Sequence, residues 1–456
     1  MRKALLIPML SAFFFPAFSQ QDSLLKHFKF RNSIYRAVNF NIGGASQFEK
    51  ADLISGTNKN TNAAGGFGIN YYTTKSTDRV LLTASAGLSS SFSAGKSSNS
   101  SSVNKGSGFS AGSNVSVLNK WFSKNKFIEL GADAGAGIYT NKNDISTYPA
   151  IAKNNQGQYT ITINTGVGTG RLENITDMQN ALWLNKALEI SNSLARVLNT
   201  AELDELGRTI TKANNTRVLD SRKRTQFILA TVDNYLQKQG LVAKTDINYF
   251  SNLNDILFFA FNTPRLSGTE TFIRFSPSLS NNKNDTRQNN NIDKSQSRSD
   301  VKSLLLSTGF RRFVPHNLKH QNNYGASVKL SQTNADFVDR LYTSGIVTSE
   351  IKYKPDIKQA ALDVFFEHAV YPNTRTIVNF KLQSQGGYQN INDKTDFFST
   401  ANLSGLLSYF ISYRTRLNCS IGAAYQNNIN QINNRYLEFL PNKINLYTSA
   451  GIDISL

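Results

Sequence analysis

Glu129 and Asp133 stand four residues apart in "IELGAD" and offer a pair of carboxylates on one strand face. Two carboxylates share general acid–base work only at close approach. On a strand, four residues of rise separate them by about 13 Å, so they can line a surface but cannot share a proton. Of the four histidines, His27, His316, His320 and His368, only His316 and His320 have a spacing suited to two ligands on one element. They fall beside Pro315 in "VPHNLKHQ", which reads as a turn, and no metal site is expected there. His368 lies between Phe366 and Val370 on an apolar face. A lipid-facing Ser–His pair would occupy such a face, but the sequence places no serine opposite. Cys419 is the only cysteine, so no intramolecular disulfide can form. The chain is expected not to be an enzyme and to need no cofactor. An envelope hydrolase is the least favoured reading, for want of a nucleophile beside a base.

The elements that carry these residues alternate with a period of two. Val80, Leu82, Ala84, Ala86 and Leu88 oppose Leu81, Thr83, Ser85, Gly87 and Ser89. Ile128, Leu130, Ala132, Ala134, Ala136 and Ile138 oppose Glu129, Gly131, Asp133, Gly135 and Gly137. The same dyad recurs around Tyr324–Leu330, Val378–Leu382, Phe397–Ile411, Leu417–Tyr425 and Ile444–Leu456. Each alternating run covers about 9–13 residues, the length a tilted strand needs to cross hydrocarbon. Nowhere do about 18 apolar residues follow one another, which excludes helical spans. Within a bilayer the backbone must close its hydrogen bonds, so strands of this length require a closed barrel.

The expected fold class is therefore an all-β transmembrane antiparallel β-barrel of about 14 strands, with 12–16 allowed, interrupted by an α-helical insert. Expected strand starts fall near residues 37, 62, 79, 106, 126, 157, 268, 301, 322, 359, 375, 397, 416 and 443. Short connections such as "YYTTKSTDRV" and "YPNTRT" alternate with long polar ones such as "SAGKSSNSSSVNKG" and "NNKNDTRQNNNIDKSQSRSD". Outer-membrane barrels keep short turns on the periplasmic side and long loops outside. An even strand count puts both termini with the short turns, and the sixth strand ends on that side, so the insert faces the periplasm. Glu129, Asp133, Lys329, Asp363 and Lys381 fall on the polar faces and are the candidates for lining the lumen.

Arg2 and Lys3 precede an apolar run to Phe18, and Ala17-Phe18-Ser19 suits cleavage. Residues 1–19 read as a signal peptide, which points to the outer membrane of a Gram-negative bacterium. The barrel then occupies 20–168 and 265–456, with the insert at 169–264. In the insert, Thr176 is expected to cap a helix through Val197, and Thr200-Ala-Glu-Leu-Asp-Glu opens a second. Asp220 caps a third that Gly240 stops, and Thr245 or Asp246 caps a fourth. Leu182, Trp183, Leu188, Phe258, Phe259 and Phe261 are expected in the bundle core.

The segments "GVGTGRLENITD", "NNTRVLDSRKR", "KQGLV" with "DINYFSNLND", and "PRLSGTE" resemble a family of Bacteroidetes-type outer-membrane β-barrel proteins with a periplasmic helical insert. The resemblance covers roughly residues 159–280. It implies the architecture and location and no activity. Where that family carries an aromatic pair, this chain has Val218 and Leu219. The residues that could hinge or dock the insert are Gly168, Gly170, Arg171, Arg217, Asp220 and Arg222. "GVGTGR" lacks the Lys-Ser/Thr ending of a phosphate loop, and its glycines read as a turn out of the sheet.

The formal charge is +19. Residues 170–263 hold eleven Lys/Arg and ten Asp/Glu, so nearly all the excess belongs to the barrel and its loops. An exported chain is a poor nucleic-acid binder, and no nucleic acid is expected. The charge fits lipopolysaccharide phosphates, a lumen that attracts anions, or a solvated surface. Outer-membrane lipid and lipopolysaccharide are the expected partners, with a periplasmic protein at residues 170–263 as another. Two functions follow: a pore or transport channel whose insert docks a partner or restricts the lumen, or a non-conducting scaffold that recruits one.

Overall fold

The computed structural model describes residues 20–53, 56–98, 103–145, 150–216, 218, 220–258, 264–288, 293–392, 394–411, 415–427, 429–432, 437–440 and 443–454. The signal peptide assigned to residues 1–19 lies outside them. Six strands precede the insert: β1 (Ser33–Leu53), β2 (Gly56–Ser76), β3 (Val80–Ser98), β4 (Val103–Ser123), β5 (Lys126–Ile145) and β6 (Ala150–Asn174). After it come β7 (Leu266–Gln288), β8 (Asp293–Pro315), β9 (His320–Thr343), β10 (Ile346–Tyr353), β11 (Asp356–Asn373), β12 (Thr376–Ile391), β13 (Lys394–Phe410) and β14 (Thr415–Asn427). Then follow β15 (Ile429–Ile432), β16 (Leu437–Leu440) and β17 (Lys443–Ile454). Fourteen strands pair in chain order from β1 to β17, while β10 folds back on β9 and β15 pairs only with β16. Every pairing is antiparallel.

The wall is built inside out relative to a water-soluble sheet. On β5, Ile128, Leu130 and Ile138 are 62%, 50% and 54% exposed, whereas the intervening Phe127, Glu129 and Gly131 are buried. A sandwich would bury the apolar parity against a second sheet. Here that parity is the outer, lipid-facing surface of a transmembrane β-barrel, and polar side chains pack within.

The strands are longer than the alternating runs suggest. β6 has 25 residues and β9 has 24, although 9–11 suffice to cross the hydrocarbon. Segments expected as long loops, such as Asn281–Gln288 and the stretch from Asp293, continue as paired strand. Both faces of a strand are polar once it leaves the bilayer, so the apolar period disappears while the backbone ladder goes on closing. The barrel therefore projects well past the membrane at the end opposite the insert.

Five helices gather at the other end: α1 (Gln20–His27), α2 (Thr176–Ile190), α3 (Thr200–Asn215), α4 (Ser221–Lys238) and α5 (Ile247–Phe258). Leu184, Leu188, Leu203, Leu206, Ile210, Val232, Leu236, Tyr249 and Leu253 form their core, and Leu25 and Phe28 from the chain start complete it. Each such side chain contributes roughly 1.5–3 kcal/mol by leaving water. Leu182 is in this core and Trp183 packs against it. Phe258 is half-buried, and Phe259 and Phe261 lie outside the described residues.

The helix starts follow their caps. Asn199 and Glu202 form a capping box on α3, and Asp220 accepts from Arg222 N on α4. Asp246 Oδ1 accepts from Tyr249 N at 3.0 Å. Thr176, by contrast, is not a cap. It is the first residue of α2, which ends at Ile190 rather than Val197. Its hydroxyl donates to Asn174 and accepts from Arg265 N, tying together the two chains that enter and leave the insert.

Candidate functional site

The polar side chains inside the wall are not spread evenly. On β4, Lys120 shares its inner parity with Phe122, and on β5 Glu129 shares it with Phe127. Across β4–β8 five charges alternate in sign: Arg274, Glu129, Lys120, Glu270 and Arg311. Arg274 Nη2 lies 3.1 Å from Glu129 Oε2, and Lys120 Nζ lies 3.6 Å from the same oxygen. Lys120 Nζ donates to Glu270 Oε1 at 2.7 Å, and Arg311 Nη2 donates to that oxygen at 2.8 Å. Lys120, Glu129 and Glu270 are each 1–3% exposed. Buried charges persist only when paired and hydrogen-bonded, and this ladder pairs every one of them. Lys120 also stands 4.5 Å above the Phe127 ring.

Asp133 belongs to a separate relay of uncharged donors one step further from the insert. Ser116 Oγ donates to Asp133, Asn164 Nδ2 donates to it at 2.6 Å, and Ser276 Oγ donates to Asn164 Oδ1 at 2.7 Å. Glu129 and Asp133 thus share a face but no hydrogen-bond partner. On the other side of the barrel, Lys329 of β9 pairs with Asp363 of β11. Asn323 and Asn379 donate to Glu367. Lys381 stands opposite Glu367 in register, is exposed, and makes no ion pair among the described residues. The five candidate lining residues therefore occupy the inner parity in four places: Glu129, Asp133, the Lys329–Asp363 pair and Lys381.

The glycine–arginine motif does not bend the chain out of the sheet. Gly168, Gly170 and Arg171 all lie within β6, which pairs with β7 as far as Asn174. A Cβ on Gly168 would lie 2.3 Å from the Phe127 ring, so the glycine makes room for that aromatic. Gly170 has φ +89°, and its N–H donates to Asn125 O at 2.7 Å. Arg171 stacks 4.6 Å over Phe122 and donates to Thr77 O at 2.8 Å and Ser76 Oγ at 2.7 Å. It fastens the end of β6 to the β2–β3 turn. Asp220 is a helix cap, Arg222 points into solvent with 91% of its side chain exposed, and Arg217 lies outside the described residues.

The contacts that seat the bundle lie elsewhere. Ile34 N, at the start of β1, donates to Asn215 Oδ1 of α3 at 2.8 Å. Arg265 donates to Leu318 O, Asn317 O and Gln321 Oε1 around the β8–β9 turn, and Leu318 packs on the bundle core. Arg375 in the β11–β12 turn donates to Asp255 of α5 at 3.0 Å. Arg31 grips Glu173 at 2.7 Å. In a flat sheet β1 and β11 would stand roughly 43 Å apart at about 4.8 Å per strand. One small bundle meets both, so the wall curves around it. None of Lys120, Glu270, Arg274 and Arg311 is singled out from the sequence, Lys120 because it falls in "NKWFSKNKF", which reads as one of the short connections. The parity of Glu270 and Arg274 against Ile273 and Phe275 is the signal that would have found two of them.

No protein-family model matches the sequence, and a comparison with curated proteins finds no match. Among solved structures the chain is similar to the translocator domain of autotransporter NalP from Neisseria meningitidis, at 10% identity and TM-score 0.27, covering 85% of this chain and 91% of that one. It is also similar to the Ralstonia pickettii toluene transporter TbuX, at 7% identity and TM-score 0.30, covering 95% and 94%. The ferric yersiniabactin uptake receptor FyuA from Yersinia pestis aligns at 8% identity and TM-score 0.36, covering 93% of this chain and 59% of that one. The strand ladder and the outward apolar faces, rather than these distant likenesses, define the fold.

His368 is on the outer face with Phe366. Its ring stacks against His320 at 5.6 Å, and Nδ1 lies 2.6 Å from Asn322 Oδ1. Its cross-strand partners are Asn322 and Phe380, neither of which is a serine. His316 stays in the β8–β9 turn, where burial lowers its pKa, reinforced by Lys26, His320 and Arg265.

Proposed function

We propose that this chain is a non-enzymatic outer-membrane β-barrel of a Gram-negative bacterium, of the Bacteroidetes-type family it resembles. It passes solutes through a polar lumen whose periplasmic mouth is restricted by the helical insert. The observation that carries this reading is the seating of the bundle on turns from separate parts of the ring: Asn215 at β1, Leu318 at β8–β9 and Asp255 at β11–β12. A domain that merely hung from the β6–β7 connection would need no other anchor. The inner charges are mostly paired, so solutes would meet amides, hydroxyls and the exposed Lys381.

Single-channel conductance in planar bilayers tests the reading. Full-length protein is compared with the double variant Asp255→Ala/Arg375→Ala and with a chain in which residues 176–264 are replaced by Asn-Gly, a two-residue hairpin turn. Conductance is expected to rise several-fold when the anchor is broken and further when the insert is gone. Silence in all three forms defeats the channel.

A second reading, a scaffold that recruits a periplasmic partner, is supported by apolar side chains that the bundle leaves outside. Ile190 and Ile247 are 72% and 83% exposed, and Phe250 is exposed as well. A specific partner captured by the full-length protein and lost on Ile247→Ser/Phe250→Ser, with no conductance in any form, would favour it.

A further inference from the structure

The outer face of β3–β6 carries a row of cations at one height. Lys96 of β3 is the register partner of Lys105 on β4, and Lys142 of β5 is the partner of Lys153 on β6. Arg287 of β7 is in turn the partner of Lys153. All five side chains are exposed. The registers between β3, β4, β5 and β6 run without a bulge, so parity fixes the face. Lys96 shares its side with Leu88 and Phe92, Lys105 with Phe109 and Val115, Lys142 with Ile138, and Lys153 with Tyr159 and Ile161. These are the outward apolar residues.

Like charges directly opposite one another across a strand pair destabilise it. This patch contains three such pairs, two of them sharing Lys153, and none of the five cations has an ion-pair partner among the described residues. Among the described residues the carboxylates on this face near that height are Asp144, the register partner of Lys105, and Asp285, which pairs with Lys283. Height is informative too. On β4 the outward residues from Trp121 to Phe109 span about 40 Å of strand at roughly 3.3 Å per residue. At a tilt of about 40° that is roughly 30 Å along the membrane normal, slightly more than the apolar band of such barrels. The lysines begin one to two residue pairs above Phe92 and Phe109. Those two phenylalanines, Ser107, Thr140 and Asn155 line a groove of about 420 Å³ that Lys142 and Lys153 also border.

We infer that this face binds the phosphorylated diglucosamine head of an outer-leaflet glycolipid, the lipid A part of lipopolysaccharide. Its phosphates sit among Lys96, Lys105, Lys142 and Lys153, and its acyl chains lie along the apolar band below. The inference deepens the outer-membrane reading and rests on it. Charge complementarity selects the occupant. A zwitterionic phospholipid brings no net charge to relieve the paired lysines, whereas lipid A brings two phosphates to the height at which they stand.

The test is native mass spectrometry of the folded full-length protein, released from mixed micelles containing either bis-phosphorylated or dephosphorylated lipid A. The wild-type protein is expected to retain the phosphorylated form at least tenfold more. K96Q/K105Q/K142Q/K153Q is expected to bring that preference below twofold. The equally charge-reduced K186Q/K212Q/K223Q/K238Q in the insert keeps it. Equal retention of both lipids by the wild-type protein overturns the site, whether or not the quadruple variant folds. So does an undiminished preference in a folded quadruple variant. If the wild-type protein acquires no heat-modifiable gel mobility and does not enter lipid bilayers, the membrane reading itself has failed.

Discussion

The bundle and the barrel wall bury opposite halves of the amino-acid alphabet. Leu203, Leu206 and Ile210 of α3 are fully buried and the helix turns Arg208 and Lys212 to water. On β5, Glu129 is buried and Ile128 is exposed. Both follow the same rule, that polar groups seek partners and apolar groups avoid water, applied in different surroundings. In the bundle water is the surroundings, and a leucine core stabilises by leaving it. In the wall the surroundings are lipid, so specificity falls to the charges inside. A single substitution of each kind should therefore fail differently.

The largest effect is expected in the wall. Glu270→Ala leaves the buried Lys120 without its closest partner and frees the half-exposed Arg311, which costs about 3–5 kcal/mol, nearly all of it at Lys120. Denaturant unfolding of protein refolded in detergent should show it, while conversion of both partners as well, Lys120→Met/Glu270→Met/Arg311→Met, should recover much of the loss. If Glu270→Ala changes stability by less than about 1 kcal/mol, the ladder is not holding the wall. Next comes the bundle. Leu206→Ala should cost about 2–5 kcal/mol, confined to the insert. Helical circular dichroism should melt earlier while the heat-modifiable gel shift of the barrel stays in place. Loss of both signals together would mean that bundle and wall fold as one unit.

The smallest effect lies at the start of α3. Arg196 donates to Glu202 at 2.6 Å and holds its carboxyl down to about 2, with help from Asn199 N. A depressed carboxylate contributes stability above its unfolded pKa near 4.3 and loses it as pH falls toward 2. The bundle should therefore soften between about pH 4.5 and 2, and Glu202→Gln should flatten that part of the profile while lowering stability at neutral pH by about 1 kcal/mol or less. An unchanged acid profile in Glu202→Gln would remove this carboxylate from the account.

How much of this was legible in the sequence depends on what each strand end borders. Starts at the insert end follow the pattern closely: residue 126 for β5, and 320 and 376 against expected starts of 322 and 375. At the far end the expected starts of 62, 157 and 301 fall well inside β2, β6 and β8, which begin at 56, 150 and 293. The difference is physical. Near the insert, lipid-facing residues begin at once, whereas at the far end Asn, Ser and Lys occupy both faces and erase the period. β10 lies within a segment read as a long loop, and β15 and β16, at four residues each, are too short to show a period. The shared face of Glu129, Asp133, Lys329, Asp363 and Lys381 was readable, because parity alone sets it. Their partners were not, since Lys120 meets Glu270 across 150 residues of sequence. Gly168 and Gly170 look like a hinge in one dimension and prove to be clearance for Phe127 and a backbone kink inside a strand.

Asn174 and Leu266 are register partners, and Ile175 N bonds Arg265 O just beyond them. The insert therefore departs from the sheet and rejoins it at the same point, so the β6–β7 ladder neither gains nor loses a rung by its presence. Any domain whose two ends lie about one strand spacing apart could be grafted there. The wall is in this sense a socket, and lineages or engineers could exchange what is plugged into it without redesigning the membrane part.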